Sequence, residues 1–294
     1  MKLFNLHENI SIYLKSLENL NSASPHTLRS YRLDLQQAFA LVPHENISCQ
    51  DFLKLCRQAQ TGWGKLSLAS RNRKTSCLKS FCNWAYAQSL LDQDLSHFLH
   101  SPKVPRHIPT CLSVDETMAV LNHLQSHPEL LQKEVLFLVL YGAGLRISEA
   151  CGIRWKDIQW SRRAILVLGK GQKERWVLAP QMVFDRLRDW QKQSLPQQDF
   201  VFYNQKSGQG LGTRQAYAWI HQLGQEAGLL RPLHPHALRH SFATHLLTSG
   251  ANLRTLQQLL GHSNLASTEK YTHLNTDHLA RTMGKTHPLH KKAG

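Results

Sequence analysis

The sequence predicts a mainly α-helical chain of two domains, with a small antiparallel β-sheet confined to the second. Three observations carry this. Apolar residues recur at helical spacing through most of the first hundred positions. Three prolines crowd residues 102–109. One pair of segments, Ala164–Leu168 and Glu174–Leu178, has strand composition and flanks a glycine-containing turn.

At 294 residues the chain exceeds one typical core and accommodates two domains. Its 35 Lys+Arg outnumber 20 Asp+Glu, a formal charge of +15, with 18 His besides. Such an excess predicts salt-sensitive attraction to a polyanion, most plausibly nucleic acid. Both halves share it: residues 1–110 hold 13 basic against 7 acidic side chains, and residues 111–294 hold 22 against 13. A neutral enzyme with a basic tail is thereby excluded. The six cysteines form no CxxC pair and no Cys/His finger spacing, so reduced thiols in a cytoplasmic protein are expected, with a structural disulfide as the lesser alternative. No apolar run is long enough to span a bilayer and no secretory leader is evident, so no membrane insertion is expected.

In the first domain, residues 1–100, Leu3, Leu6, Ile10, Tyr13, Leu14 and Leu17 outline a helix that Asn21-Ser22-Ala23 interrupts. Ser24 and Pro25 suit the N-cap and first turn of a second helix, whose inward face is Leu28, Tyr31, Leu35, Ala38 and Phe39. Arg29 and Arg32 share another face of it. Val42-Pro43 ends it, and Ser48 caps a third helix to about Gln60 with Phe52, Leu53 and Leu55 inward. Thr61-Gly62-Trp63-Gly64 reads as a loop. A long helix from about Ser67 to Leu90 should bury Leu78, Phe81, Cys82, Trp84 and Ala85. Its start carries Arg71, Arg73, Lys74 and Lys79. Each cation alone fits a solvated helix face, but together with Arg29 and Arg32 they suggest a phosphate-facing surface.

Residues 101–110 are expected to form an extended, semi-rigid linker, because the prolines cannot continue a helix. In the second domain, 111–294, Ser113-Val114-Asp115-Glu116 is a capping box for a helix to about Gln125. Leu130–Tyr141 is apolar nearly all round and reads as a buried central helix that Gly142-Ala143-Gly144 stops. Another helix starts at Leu145-Arg146. After the hairpin, Phe200-Val201-Phe202 suggests a third strand. Helices follow at about 213–227, 236–249, 252–260 and 264–272, and the tail from Asp277 has few apolar anchors.

The chemistry concentrates in a few polar residues. Arg146 can pair with Glu149 one helical turn on, or offer its planar fork to two phosphate oxygens. Lys170 is either an ordinary turn lysine or an ammonium carried on a hairpin arm. His236 and Arg239 are i, i+3 on one helix, with His240 adjacent. His234, His236 and His240 also have metal-ligand spacing. Zinc is disfavoured, since no HExxH occurs, no carboxylate adjoins and Arg239 would repel the ion. His262 follows Gly261 at a helix end, and Tyr271 alone would pass for packing. As a set they fit phosphodiester cleavage. Two arginines stabilise the charge that grows on phosphorus oxygens, a tyrosine attacks, a lysine protonates the leaving oxygen, and imidazoles hydrogen-bond the phosphate. None of this requires a metal.

The segments Leu140-Tyr141-Gly142-Ala143-Gly144-Leu145-Arg146-Ile147-Ser148-Glu149, Gly169-Lys170-Gly171-Gln172-Lys173-Glu174-Arg175, Pro235-His236-Ala237-Leu238-Arg239-His240 and Leu260-Gly261-His262 with Tyr271 closely resemble the tyrosine recombinase (phage integrase) family. Within it the chain looks like the bacterial Xer recombinases. Ser24-Pro25-His26-Thr27-Leu28 and His287-Pro288 lean towards the XerC branch.

The resemblance implies a SAM-like helical core-binding domain followed by a catalytic domain. It implies that Arg146 and Arg239 bind the scissile phosphate, that His236 and His262 complete the pocket, that Lys170 is the general acid, and that Tyr271 forms a 3′-phosphotyrosyl link. It further implies no cofactor, ATP or required metal. The implied partners are duplex DNA with a dif-like site, an XerD-like second recombinase in a cyclic heterotetramer, and an FtsK-type translocase. Ala143 stands where many relatives have Thr, and the tail lacks the usual Arg after His287-Pro288. The alternatives are an integrase of a mobile element, disfavoured by the lack of an arm-binding domain before the Ser24 helix, and a non-catalytic basic regulator, which leaves the ordered catalytic set unexplained.

Overall fold

The computed structural model of the chain describes residues 3–20, 24–42, 46–105, 111–169, 173–195, 197–251 and 288–290. The chain divides into two units, residues 1–107 and 108–294. Among the described residues no helix is long and apolar enough to cross a membrane.

In the first unit, polar caps start the helices. Asn5 accepts from the Glu8 amide at the head of α1 (Leu6–Asn19), and Ser24 accepts from the Thr27 amide at the head of α2 (Pro25–Phe39). Ser48 does the same for Asp51 in α3 (Cys49–Gly62), and Ser67 caps α4 (Leu68–Ala87). Each side chain satisfies an amide that the helix itself leaves without a partner. The core gathers on Phe52, whose ring centroid lies 5.3 Å from Phe4 and 5.8 Å from both Phe39 and Phe81. Emptying such a site by Phe→Ala typically costs about 3–5 kcal/mol.

Four expectations for this unit are corrected. Leu3 belongs to β1 (Leu3–Asn5), which pairs antiparallel with β2 (Asn46–Ser48), rather than to the first helix. Thr61 and Gly62 belong to α3, so only Trp63 and Gly64 lie in the turn, with Trp63 buried. Trp84 is only half-buried, at the rim of the core.

The fourth correction is Lys74, which is buried, not phosphate-facing. Its ammonium lies 3.0 Å from Asp34 and 2.7 Å from Gln37, and 5.3 Å from the centroid of the Trp63 ring. Arg73 grips the same buried carboxylate through both terminal nitrogens.

The second unit is built round α6 (Leu131–Gly142), in which every residue except Lys133 is buried. Against it pack α5 (Val114–Gln125), α8 (Gln181–Gln193), α9 (Thr213–Glu226) and α10 (Pro235–Thr248). Ser113 and Glu116 form the expected capping box of α5. The buried carboxylate of Glu134 inside α6 is neutralised by Arg186 of α8, at 2.9 and 2.5 Å. Helix α8 was not expected. It buries Val183, Phe184, Leu187 and Trp190 at i, i+1, i+4, i+7 spacing.

The sheet has strand order β3-β4-β5, with β3 (Ile158–Gln159), β4 (Ala164–Leu168) and β5 (Glu174–Leu178) all antiparallel. Its third strand is therefore Ile158–Gln159. Phe200 and Tyr203 make only isolated bridges, because the chain there turns back on itself after a single paired residue. The tail also differs from expectation. Leu289, in a short 3-10 turn at Pro288–His290, is buried against the α6–α8 face next to Gly142. The expected helices at 252–260 and 264–272 lie outside the described residues.

All six cysteines are free thiols. Burial pushes the thiols of Cys56 and Cys77 well up and that of Cys151 to about 11.

Candidate active site

The site is assembled where α6 ends. Gly144 takes a φ of 62°, a left-handed conformation that suits glycine, and the Leu145 amide returns to the Val139 carbonyl at 3.4 Å. This sharp exit delivers Arg146 to the N-cap of α7 (Ile147–Cys151). There its backbone amide donates to Glu149 Oε2 at 2.9 Å and its Nη1 donates to Glu149 Oε1 at 2.8 Å. The local ion pair anticipated as the bland alternative for Arg146 is therefore present. It leaves the Arg146 side chain 42% exposed, so part of the fork still faces outward.

Arg239 reaches the same place from α10. It is buried, and one terminal nitrogen donates to the main-chain carbonyl of Gly144. His236, one turn earlier, is exposed, as is His240. His234 caps the helix through its backbone, and its Nδ1 lies 2.8 Å from the Tyr217 hydroxyl.

The third guanidinium was missed from sequence. Arg175 of β5 donates to Glu149 Oε1 at 2.9 Å and Oε2 at 3.0 Å. The available signal was strand alternation: Arg175 precedes the core residue Val177 by two positions and shares its face.

Among the described residues, the electrostatics follow from one carboxylate that binds two guanidinium groups and lies near a third, that of Arg239. Burial opposes ionisation of Glu149, but its hydrogen bonds with Arg175 and Arg146 outweigh that and hold its carboxyl below the ordinary value. Arg239 shows the opposite imbalance. Burial, and then the neighbouring charges of Arg146 and Arg175, bring its pKa down to about 10 against the opposing charge of Glu149. A pocket whose buried cation is held at a cost, beside a partly exposed second arginine, is arranged to receive an anion.

Lys170, His262 and Tyr271 lie outside the described residues. Residues flanking the first are described: Gly169 donates to the Lys173 carbonyl at 2.8 Å and closes the base of the β4–β5 turn. Among the described residues, no three His, Cys, Asp or Glu side chains are grouped so as to hold a metal ion.

Known proteins share this arrangement of sequence. Residues 110–278 match the phage integrase family, and residues 10–89 match the phage integrase N-terminal SAM-like domain. The tyrosine recombinase XerC of Xanthomonas axonopodis pv. citri (strain 306) is 33% identical over 291 residues, covering 94% of this chain and 95% of that protein. XerC of Proteus mirabilis is 34% identical over 293 residues, covering 96% and 94%. In fold, the chain is similar to a lambda integrase dimer bound to a COC′ core site, with a TM-score of 0.68 at 16% identity, covering 92% of this chain and 100% of that one. On these matches, which span both units, the chain belongs to the phage integrase family of tyrosine recombinases.

Proposed function

We propose that this chain cleaves and rejoins duplex DNA at a specific site through a 3′-phosphotyrosyl intermediate, as an XerC-type recombinase acting on dif-like sites. The observation that carries the proposal is the gathering of Arg146 and Arg175 on the carboxylate of Glu149, with the buried Arg239 close enough to feel all three charges. That surplus of positive charge is suited to a phosphodiester whose negative charge increases as a fifth oxygen approaches phosphorus.

In this reading the Tyr271 hydroxyl attacks phosphorus in line and passes its proton to a pocket imidazole, the bond to the 5′-oxygen breaks, and Lys170 gives that oxygen its proton. Arg146 and Arg239 bind the non-bridging oxygens, and His236 and His262 complete the pocket. A phosphotyrosyl ester replaces a phosphodiester, so the energy needed for rejoining is retained. No ATP, metal or cofactor enters the step. A 5′-hydroxyl from another strand reverses it.

The first unit serves as the core-binding domain, with the exposed Arg29 and Arg32 and the half-buried Arg71 facing phosphates and Arg73 adding charge while it holds Asp34. Residues 101–110 link it to the catalytic domain. An XerD-like partner would complete a cyclic heterotetramer in the cytoplasm, with an FtsK-type translocase as regulator and chromosome dimers as the substrate.

The deciding experiment traps protein on a nicked suicide duplex carrying a dif sequence. Wild-type chain is expected to accumulate a covalent adduct, and Tyr271→Phe to bind the same DNA without forming one. An adduct that persists in Tyr271→Phe removes the nucleophile assignment.

A further inference from the structure

We propose that Arg175 is a positioning residue that fixes the base of the β4–β5 turn against Glu149, and thereby aims Lys170 at the leaving oxygen. This rests on the reading of Lys170 as the general acid.

Three observations carry it. First, Arg175, not Arg146, is the principal partner of the buried carboxylate. Its side chain is 14% exposed against 42% for Arg146, and it alone donates from two guanidinium nitrogens to both oxygens of Glu149. A planar fork on a carboxylate fixes orientation as well as distance.

Second, the same guanidinium abuts the base of the turn. A Cβ at Gly169 would come within 2.9 Å of Arg175 Nη1, so the residue preceding Lys170 lies directly against a group already pinned by Glu149. The Gly169 amide is also held by the Lys173 carbonyl, and Val167 stands opposite Arg175 in the hairpin register. Gly169 and Lys173, which bound residues 170–172 in sequence, are thus held to each other and against Arg175.

Third, Arg175 Nε is buried without a hydrogen-bond partner among the described residues. A guanidinium placed only to satisfy its own donors would not leave one stranded. Its position is set instead by Glu149 and the hairpin. The arrangement ties the turn to the carboxylate that also holds Arg146, so one side chain registers the acid against a phosphate-binding arginine.

The test separates acting through Lys170 from acting through Arg146. Wild type, Lys170→Ala, Arg175→Gln and Arg175→Lys are compared on the nicked duplex that traps the wild-type adduct, with either the natural 5′-oxygen or a 5′-bridging sulfur. A thiolate departs with little need of a proton. Arg175→Gln is expected to slow cleavage of the oxygen substrate by roughly 10- to 100-fold and to return to within a few-fold of wild type on the sulfur substrate. Lys170→Ala should show the same recovery. Arg175→Lys, which keeps the charge but loses the fork, should show a smaller defect that sulfur also repairs, and it carries the test if the glutamine variant does not fold.

Equal slowing of the Arg175 variants on both substrates assigns their effect to Arg146 or to the fold and overturns the proposal, as does an unimpaired Arg175→Gln. If Lys170→Ala itself gains nothing from sulfur, the general-acid reading fails. If Lys170→Ala recovers and the Arg175 variants do not, only the positioning proposal fails.

Discussion

The Tyr141 hydroxyl and His245 Nδ1 meet at 2.9 Å, 104 positions apart in the chain, and join the last turn of α6 to the last turn of α10. The other ring nitrogen, Nε2, is 2.8 Å from the Leu112 carbonyl. A carbonyl only accepts, so Nε2 carries the proton and Nδ1 accepts from the phenol. The imidazole is thus a neutral bridge between three parts of the second unit.

Burial pushes the His245 pKa below its ordinary 6.5, only partly offset by the Leu112 bond. A base depressed in the folded state binds its proton preferentially when unfolded, so stability falls as pH drops below about 6.5. The melting temperature should therefore decline between pH 7 and 5, and His245→Ala should flatten that slope. The same variant should cost about 1–3 kcal/mol at pH 7 by leaving the Leu112 carbonyl only the weak Cys111 thiol donor among the described residues. Parallel pH slopes in the two proteins would remove His245 as the source.

Among the described residues, Asp34 is the single carboxylate paired with both Arg73 and Lys74. Replacing it by alanine leaves the buried Lys74 ammonium without its counter-charge and is expected to cost about 3–5 kcal/mol in urea unfolding of the full chain. Arg73→Ala, whose side chain is 47% exposed, should cost about 1 kcal/mol. The difference between the two variants is the informative measurement, and equal losses would contradict the burial argument.

Gly144→Ala forces a Cβ into a left-handed conformation. A loss of about 1–2 kcal/mol is expected in thermal unfolding. Because the Gly144 carbonyl receives Arg239, the variant should also weaken DNA binding, read by titration at fixed salt.

The Arg239 pKa is depressed to about 10 because its charge costs the fold. A bound anion relieves that cost, so inorganic phosphate should raise the melting temperature relative to chloride at equal ionic strength. Arg239→Gln should lose most of this increment. If the increment survives in Arg239→Gln, the anion binds elsewhere.

What was legible in the sequence was largely what local chemistry encodes. Ser24, Ser48 and Ser113 mark real caps because the amide each satisfies lies three residues away. Helix α8 escaped because Pro180 at its N-cap makes no side-chain hydrogen bond, so a search led by capping residues passes over it. The strands β1, β2 and β3 are only two or three residues long, too short to display alternation. Lys74 looked like a surface cation because its partner lies 40 positions away. The same limit applied in the active site. The Arg146–Glu149 pair was visible at i, i+3, while the Arg175–Glu149 contact spans 26 positions and only the folded hairpin creates it.

The cysteines of the first unit have a practical consequence. Cys49, Cys56, Cys77 and Cys82 are all shut inside its core, and burial holds Cys56 and Cys77 in the unreactive thiol form. Alkylating reagents can therefore reach them only when that core opens. The rate of their modification becomes a built-in clock for breathing of the first unit, requiring no engineered label. If that unit binds DNA as proposed, added duplex should slow the clock.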